Sequence, residues 1–162
     1  MSDYDIIIYV CHNVAVKAPS LSPPGPLGHR AAPPKVASNV VLREVPCSGK
    51  TDVLYLLRAF EGGARGVAII TCPLGECRLA EGNYRAQVRV RHVGRLLDEI
   101  GLDSERLILL HSAPGAEGRD VPALIEQAVE RLSALPDNPM RGTGFQPVGN
   151  HGQSARGGHA TR

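Results

Sequence analysis

The stretch Gly66-Val67-Ala68-Ile69-Ile70-Thr71-Cys72 is a short apolar run that ends on a cysteine, and two other runs in the chain resemble it. Residues 6–10 lead directly to Cys11, and residues 40–45 end two places before Cys47. Short apolar runs of this kind are typical of strands buried on both faces of a parallel sheet. Because the carboxyl ends of parallel strands meet at one edge, the thiols that follow them are expected to converge there.

Amphipathic segments separate the predicted strands. Apolar residues recur at helical spacing over 53–60 and over 86–100, after the second and third runs. A fourth run at 107–110 precedes a further helix, which is expected to begin near Asp120 with Pro122 in its first turn. This alternation predicts an α/β fold: a single domain with a mainly parallel sheet of about four strands and helices on both faces.

Two segments depart from the alternation of strand and helix. Residues 14–39 are predicted to form a long loop that either covers a metal site, docks a partner, or is a mobile insertion without a role. Residues 137–162 are polar and rich in glycine, and we expect a disordered tail after a domain that spans residues 1–136. The loop prediction rests on six prolines: Pro19, Pro23, Pro24, Pro26, Pro33 and Pro34.

Composition excludes several classes of protein. The chain has 162 residues and a net charge of +2, and the predicted tail accounts for that excess, so the domain itself is neutral. With two Phe, four Tyr and no Trp, it lacks the stacking residues of a nucleic-acid-binding protein. No apolar run is long enough to span a membrane, so we expect no membrane insertion and a cytoplasmic protein. In that compartment clustered thiols more often bind metal than form disulfides.

Four cysteines supply the candidate site, namely Cys11, Cys47, Cys72 and Cys77. Four converging thiolates suit a [2Fe-2S] cluster, which makes the protein an electron carrier, or a zinc ion, which makes it a zinc-stapled interaction module. A third interpretation is a thiol-based redox enzyme with Cys72 as nucleophile. The residues alone leave these alternatives open.

Two motifs next to these cysteines give weaker evidence for a binding site. PCSGKTD, residues 46–52, suggests a phosphate-binding loop, but that pattern requires glycine at the position of Glu44. His12 is adjacent to Cys11 and could ligate metal, although four sulfurs already complete the coordination.

Basic residues accompany the segment after Cys77. Arg78 precedes the predicted helix, and Arg85, Arg89 and His92 lie along one of its flanks. A solvated basic flank is the favoured interpretation. The alternatives are compensation of cluster charge and contact with an acidic partner.

The stretch CPLGECRLAEGNYRAQVRV, residues 72–90, and LLDEIGLDSERL, residues 96–107, resemble the delta subunit family of methyl-viologen-reducing hydrogenase. The resemblance covers roughly residues 5–133 and includes PCSGKTD. It implies a [2Fe-2S] protein that passes electrons from a hydrogenase or formate dehydrogenase to a heterodisulfide reductase-like flavoprotein subunit. By position, the four cysteines named above are the implied ligands.

Two positions depart from the family pattern. The family usually has a second cysteine three residues after the first, where this chain has Val14. A His-Tyr pair that often follows the last cysteine is replaced by Arg78-Leu79. Four thiolates remain, which is the number that a [2Fe-2S] cluster requires.

Overall fold

A computed structural model describes residues 5–18, 29–30 and 39–141 of the protein, and its centre is one five-stranded sheet. The order across the sheet is β2-β3-β1-β4-β5. Four strands run parallel and β2 pairs antiparallel with β3, so the predicted sheet of about four parallel strands is confirmed. The strands are β1 (Ile6–Cys11), β2 (His29–Arg30), β3 (Val40–Val45), β4 (Gly66–Thr71) and β5 (Leu107–His111).

Helices cover both faces of the sheet, as the sequence predicts. Odd and even residues along β1 enter two separate apolar clusters because successive side chains of a strand point to opposite faces. One cluster includes side chains of α1 and α4, and the other includes side chains of α2 and α3. The helices are α1 (His12–Ala15), α2 (Val53–Glu61), α3 (Gly82–Glu99) and α4 (Val121–Ser133).

The strand register aligns the carboxyl ends of the three central strands at the same height in the sheet. Ile6 of β1 is opposite both Val40 of β3 and Gly66 of β4. The chain leaves β1 toward β3 on one side and later returns to β4 on the other, which makes β1 the switch point of the sheet. The residues that follow β1, β3 and β4 therefore meet at one edge.

The predicted loop over residues 14–39 needs correction at two places. Helix α1 extends through Ala15, and residues 29–30 pair with β3, since none of these positions holds a proline. The six prolines themselves lie within 19–28 and 31–38, outside the described residues.

The predicted start of the tail at Asp137 is also wrong for residues 137–141. Asn138 is buried, and its amide donates to the carbonyls of Phe60 and Ala64 at 2.9 Å each. Met140 packs against the cluster of α2 and α3. Residues 142–162 lie outside the described part, so the prediction for them stays a prediction. Within the described part, no helix combines the length and apolarity needed to cross a membrane.

Candidate metal centre

All four cysteines line one cavity of about 160 Å³ at the carboxyl edge of the sheet. Cys11 ends β1, Cys47 follows β3, and Cys72 follows β4 directly, so strand register gathers three of the thiols. Cys77 arrives from the turn that connects β4 to α3. None of the four forms a disulfide, and all except the half-buried Cys77 are buried. The cavity is completed by His12, Asn13, Pro46, Arg78 and Leu79.

The thiols of Cys11 and Cys72 lie close together. Their Sγ atoms are 3.6 Å apart. Two thiolates on one tetrahedral metal, each about 2.3 Å from it, are separated by a similar distance. This pair lies deepest in the cavity, since Cys11 and Cys72 are only 2% and 1% exposed.

The other two thiols, those of Cys47 and Cys77, lie beside the first turn of α3, and the Cys77 thiol is also hydrogen-bonded to Cys72. A Cβ atom built on Gly82 would lie 2.4 Å from the Cys47 sulfur and 3.2 Å from the Cys77 sulfur. A Cβ on Gly49 would lie 2.7 Å from the Cα of Gly82, so the two backbones touch at this point. Glycine at both positions therefore allows the helix and the turn after Cys47 to approach closely enough to bring these sulfurs together.

Hydrogen bonds polarise the deeper pair. The Cys72 thiol donates to the Cys11 sulfur, and the backbone N–H groups of Ser48 and Asn13 also donate to it. Together they lower the pKa of Cys11 from 9.0 to about 7, against the opposing effects of burial and of nearby Cys47. The pKa of Cys72 is raised because its proton is held by Cys11 and because the thiol is buried, although the side-chain amide of Asn13 donates to its sulfur at 3.5 Å.

Asn83 fixes the loop between Cys72 and α3. Its side chain is fully buried and donates to the carbonyl of Pro73 at 2.7 Å, while its Oδ1 accepts from the N–H of Tyr84 at 2.9 Å. Ala80, in the same loop, has a φ of 60°, a left-handed conformation that a non-glycine residue rarely adopts. The loop is thus held in one shape, and it carries Cys77.

The other residues that the sequence singled out lie around the cavity. His12 lines it, but its Nδ1 contacts the Glu44 carboxylate. Arg89 donates to the Gly49 carbonyl, beside the Cys47 turn. Val14 is buried in the apolar cluster of α1 and α4 and is not among the residues that line the cavity.

Sequence reasoning missed Gly49, Asn13 and Asn83 as parts of the site. The signal for Gly49 was present in PCSGKTD, because a glycine two places after a candidate ligand indicates close backbone approach. Asn83 stands in the Gly-Asn-Tyr segment that the family resemblance includes. The two amides became recognisable only when their partners, Cys72 and Pro73, were placed beside them.

The donor set suits a group held by four thiolates. Reduced, mostly buried cysteines with N–H groups directed at their sulfurs are the environment that iron-sulfur clusters occupy. Among the described residues, no three His, Cys, Asp or Glu side chains are gathered around a single point as one metal ion requires. The four thiols line one cavity, and Cys72 is hydrogen-bonded to both Cys11 and Cys77; the identity of the bound group stays a prediction.

Several known proteins are similar to this chain over most of its length. The vhu iron-sulfur subunit of the F420-non-reducing hydrogenase of Methanocaldococcus jannaschii is 30% identical over 136 residues, which are 84% of this chain and 96% of that protein. The protein of the same name from Methanococcus maripaludis is 30% identical over 141 residues, 87% of this chain and 99% of that protein.

A third relative is larger. It belongs to the ferredoxin/F(420)H(2)-dependent CoB-CoM heterodisulfide reductase of Methanosarcina acetivorans and is 32% identical over 98 residues, which are 60% of this chain and 12% of that protein. The family model described as methyl-viologen-reducing hydrogenase, delta subunit, matches residues 6–136. That match includes all four cysteines, and the chain belongs to the methyl-viologen-reducing hydrogenase delta subunit family.

Proposed function

We propose that this protein is an electron-transfer subunit that carries a [2Fe-2S] cluster on Cys11, Cys47, Cys72 and Cys77. It relays electrons from a hydrogenase or formate dehydrogenase to a heterodisulfide reductase-like flavoprotein subunit, in the cytoplasm. The observation that carries this proposal is the convergence of all four cysteines on one cavity, with the sulfurs of Cys11 and Cys72 3.6 Å apart. Four thiolates are the number that a [2Fe-2S] cluster requires, two for each iron.

The chain's own residues would hold the cluster and adjust its reduction potential. When bound, a [2Fe-2S] cluster accepts and releases one electron. The N–H groups of Asn13 and Ser48 directed at sulfur favour the more negative, reduced form and so raise the potential. Burial of Cys11, Cys47 and Cys72 keeps water from those ligands. Cys77 and the residues after it stand on the solvent side, where an electron can enter or leave.

The relatives support the choice of partners. Two of them are named as iron-sulfur subunits of hydrogenases, and the similarity covers 84% and 87% of this chain. In the heterodisulfide reductase protein of Methanosarcina acetivorans, a segment similar to this chain shares one polypeptide with a much longer sequence. Fusion of that kind places the two parts next to each other, which is the arrangement that electron transfer between them requires.

The decisive experiment is anaerobic purification followed by iron and sulfide assays and electron paramagnetic resonance after reduction. We expect two irons and two sulfides per chain, with visible absorption that is lost in Cys72→Ser and in Cys77→Ser. Ser112→Ala is the matched control because it removes a buried hydroxyl at the same edge of the sheet without lining the cavity.

Two results would contradict the proposal. Unchanged iron and absorption in both cysteine variants would remove those residues from the site. Stoichiometric zinc without acid-labile sulfide would favour the zinc-stapled interaction module instead.

A further inference from the structure

The outward side of α3 carries a basic surface that the fold itself does not use. Tyr84, Arg85, Val88, Arg91 and Arg95 are all exposed, and together they define what we name the arginine face. Tyr84, Val88, Arg91 and Arg95 recur every three or four residues along the helix, opposite the buried Ala86, Val93 and Leu97. Two shallow grooves run along this side and share Val88.

Positive charge is concentrated here. Residues 78–95 contain five arginines and one glutamate, a net charge of +4 in a chain whose total is +2, so the remainder is net negative. Arg85 pairs with Glu81 at 3.5 Å, but both side chains are about two-thirds exposed and the pair is weak. Within the described part of the chain, Arg91 and Arg95 form no ion pair, and the acidic residues of this helix, Glu81, Asp98 and Glu99, stand at its two ends.

The composition of the face favours a protein partner over a nucleic acid. Its cations are all arginine, and they surround the exposed apolar groups of Tyr84 and Val88. Arginine and tyrosine are enriched at protein interfaces, where a guanidinium can pair with a carboxylate through two hydrogen bonds. One tyrosine offers little stacking for bases, and the negative remainder of the chain would repel a phosphate backbone.

The arginine face is continuous with the mouth of the cysteine cavity. Arg78 and Leu79 line that cavity while remaining exposed, and Leu79 is 63% exposed. Helix α3 begins at Gly82, beside the sulfurs of Cys47 and Cys77, and Arg95 is about 20 Å further along it. A partner surface of standard size, roughly 800 Å² on each side, can cover the face and the mouth together.

We propose that the arginine face, with Arg78 and Leu79, is the docking surface for a carboxylate-rich patch with an apolar centre on the flavoprotein partner. This inference rests on the proposed function, because it assigns that partner to a particular side of the molecule. Docking here sets the partner against the cavity mouth, where the path for an electron is shortest.

The test measures binding of the full-length protein, at two salt concentrations, to the purified heterodisulfide reductase-like flavoprotein of the same organism. The double variant Arg91→Glu/Arg95→Glu should weaken binding at least about tenfold at low salt, since it places carboxylates against carboxylates. The wild-type complex should also weaken as salt rises. Arg58→Glu/Arg131→Glu is the matched control: it makes the same change in charge at exposed positions on α2 and α4 and should leave the affinity within about twofold.

Several outcomes would overturn the docking surface. They are equal affinities for the two double variants, absence of saturable binding by the wild type, and binding to DNA or anionic lipid vesicles that is tighter than to the protein and is lost in Arg91→Glu/Arg95→Glu. Iron and sulfide content is measured on the same samples. Protein that binds through the arginine face but contains no cluster would overturn the proposed function and leave the docking surface standing.

Discussion

The two ends of the sheet carry different kinds of buried groups. At the amino end, polar groups pair with one another: the Arg106 guanidinium is buried and donates to three carbonyls, those of Leu102, Arg65 and Pro136. Asp5 binds Arg141 there, and the Asn138 amide donates to two further carbonyls. At the carboxyl end, the inward-facing groups are mainly sulfurs, which are weak hydrogen-bond partners and line an open cavity.

This difference separates stability from function within one small domain. Apart from the Nε of Arg65, the buried side-chain polar groups described at the amino end are paired internally, so this end contributes to the free energy of unfolding. The carboxyl end directs soft donors into a shared space, where they would serve as ligands for a bound metal group. Substitutions at the two ends should therefore have different readouts.

Among substitutions that leave all four thiols in place, the largest expected effect is that of Gly82→Ala on cluster content. The new methyl group would overlap the Cys47 sulfur and crowd the Cys77 sulfur, so the Cys47 sulfur must shift from its place at the cavity. We expect iron per chain to fall by about tenfold after anaerobic purification, because a candidate ligand is displaced. Iron and sulfide assays measure the loss, and circular dichroism checks that the helices remain.

Gly94→Ala provides the control for that experiment. It makes the same substitution in the same helix, where the added methyl group meets only the Cβ of Ser104 at 3.3 Å. Iron content should be unchanged. Equal losses in the two variants would mean that α3 merely needs glycine for its own packing, and the contact with Cys47 would have no special role.

At the amino end, Asn138→Ala should lower the free energy of unfolding by about 2 kcal/mol because two buried carbonyls lose a donor. Chemical denaturation of anaerobic protein measures the change. Asp137→Ala, which removes only an exposed partner of Arg65, should cost less than about 1 kcal/mol. Iron content should be normal in both variants before denaturation, and a cluster deficit in Asn138→Ala would show that the two ends are coupled.

Much of the fold follows from local patterns in the sequence. Mainly apolar runs indicated the parallel strands, and the stripe over 86–100 indicated α3, because apolar runs and helical periodicity are local properties of the sequence. The prediction of a tail from Asp137 was wrong at Asn138. Its segment is polar, and hydrogen bonds to Phe60 and Ala64 hold it in place. Those two residues are distant in sequence, so the residues next to Asn138 do not indicate the contact.

For the site, the sequence predicted which strand ends lie next to each other. Cys11 and Cys72 follow adjacent strands, so their proximity is a consequence of sheet topology. The approach of Cys47 and Cys77 depends on the contact between Gly49 and Gly82, two residues far apart in sequence. Which turn touches which helix is decided by tertiary packing, and no periodicity encodes it.

A smaller effect concerns the ionisation of Cys11 in metal-free protein. The ultraviolet absorption of its thiolate, taken as the difference from Cys11→Ser, should appear with a midpoint near pH 7. Cys72→Ala removes the strongest donor to that sulfur, so the midpoint should move upward, toward 9.0. Asn138→Ala, at the other end, should leave it unchanged. If the midpoint pH of Cys11 were the same in Cys72→Ala as in the wild type, the two thiols would not share a proton.

The smallest expected effect is that of restoring the family cysteine in Val14→Cys. Val14 faces the apolar cluster of α1 and α4 and does not line the cavity, so a thiol there would add no ligand. Iron and sulfide per chain should equal those of the wild type, with stability lower by about 1 kcal/mol from lost packing. Val14→Ala removes a similar volume without adding sulfur, and it is the control. If Val14→Cys bound more iron than both the wild type and Val14→Ala, α1 would have to rotate toward the cavity when the cluster binds. The assignment of four cysteine ligands would then be wrong, because a fifth thiol would compete for the cluster.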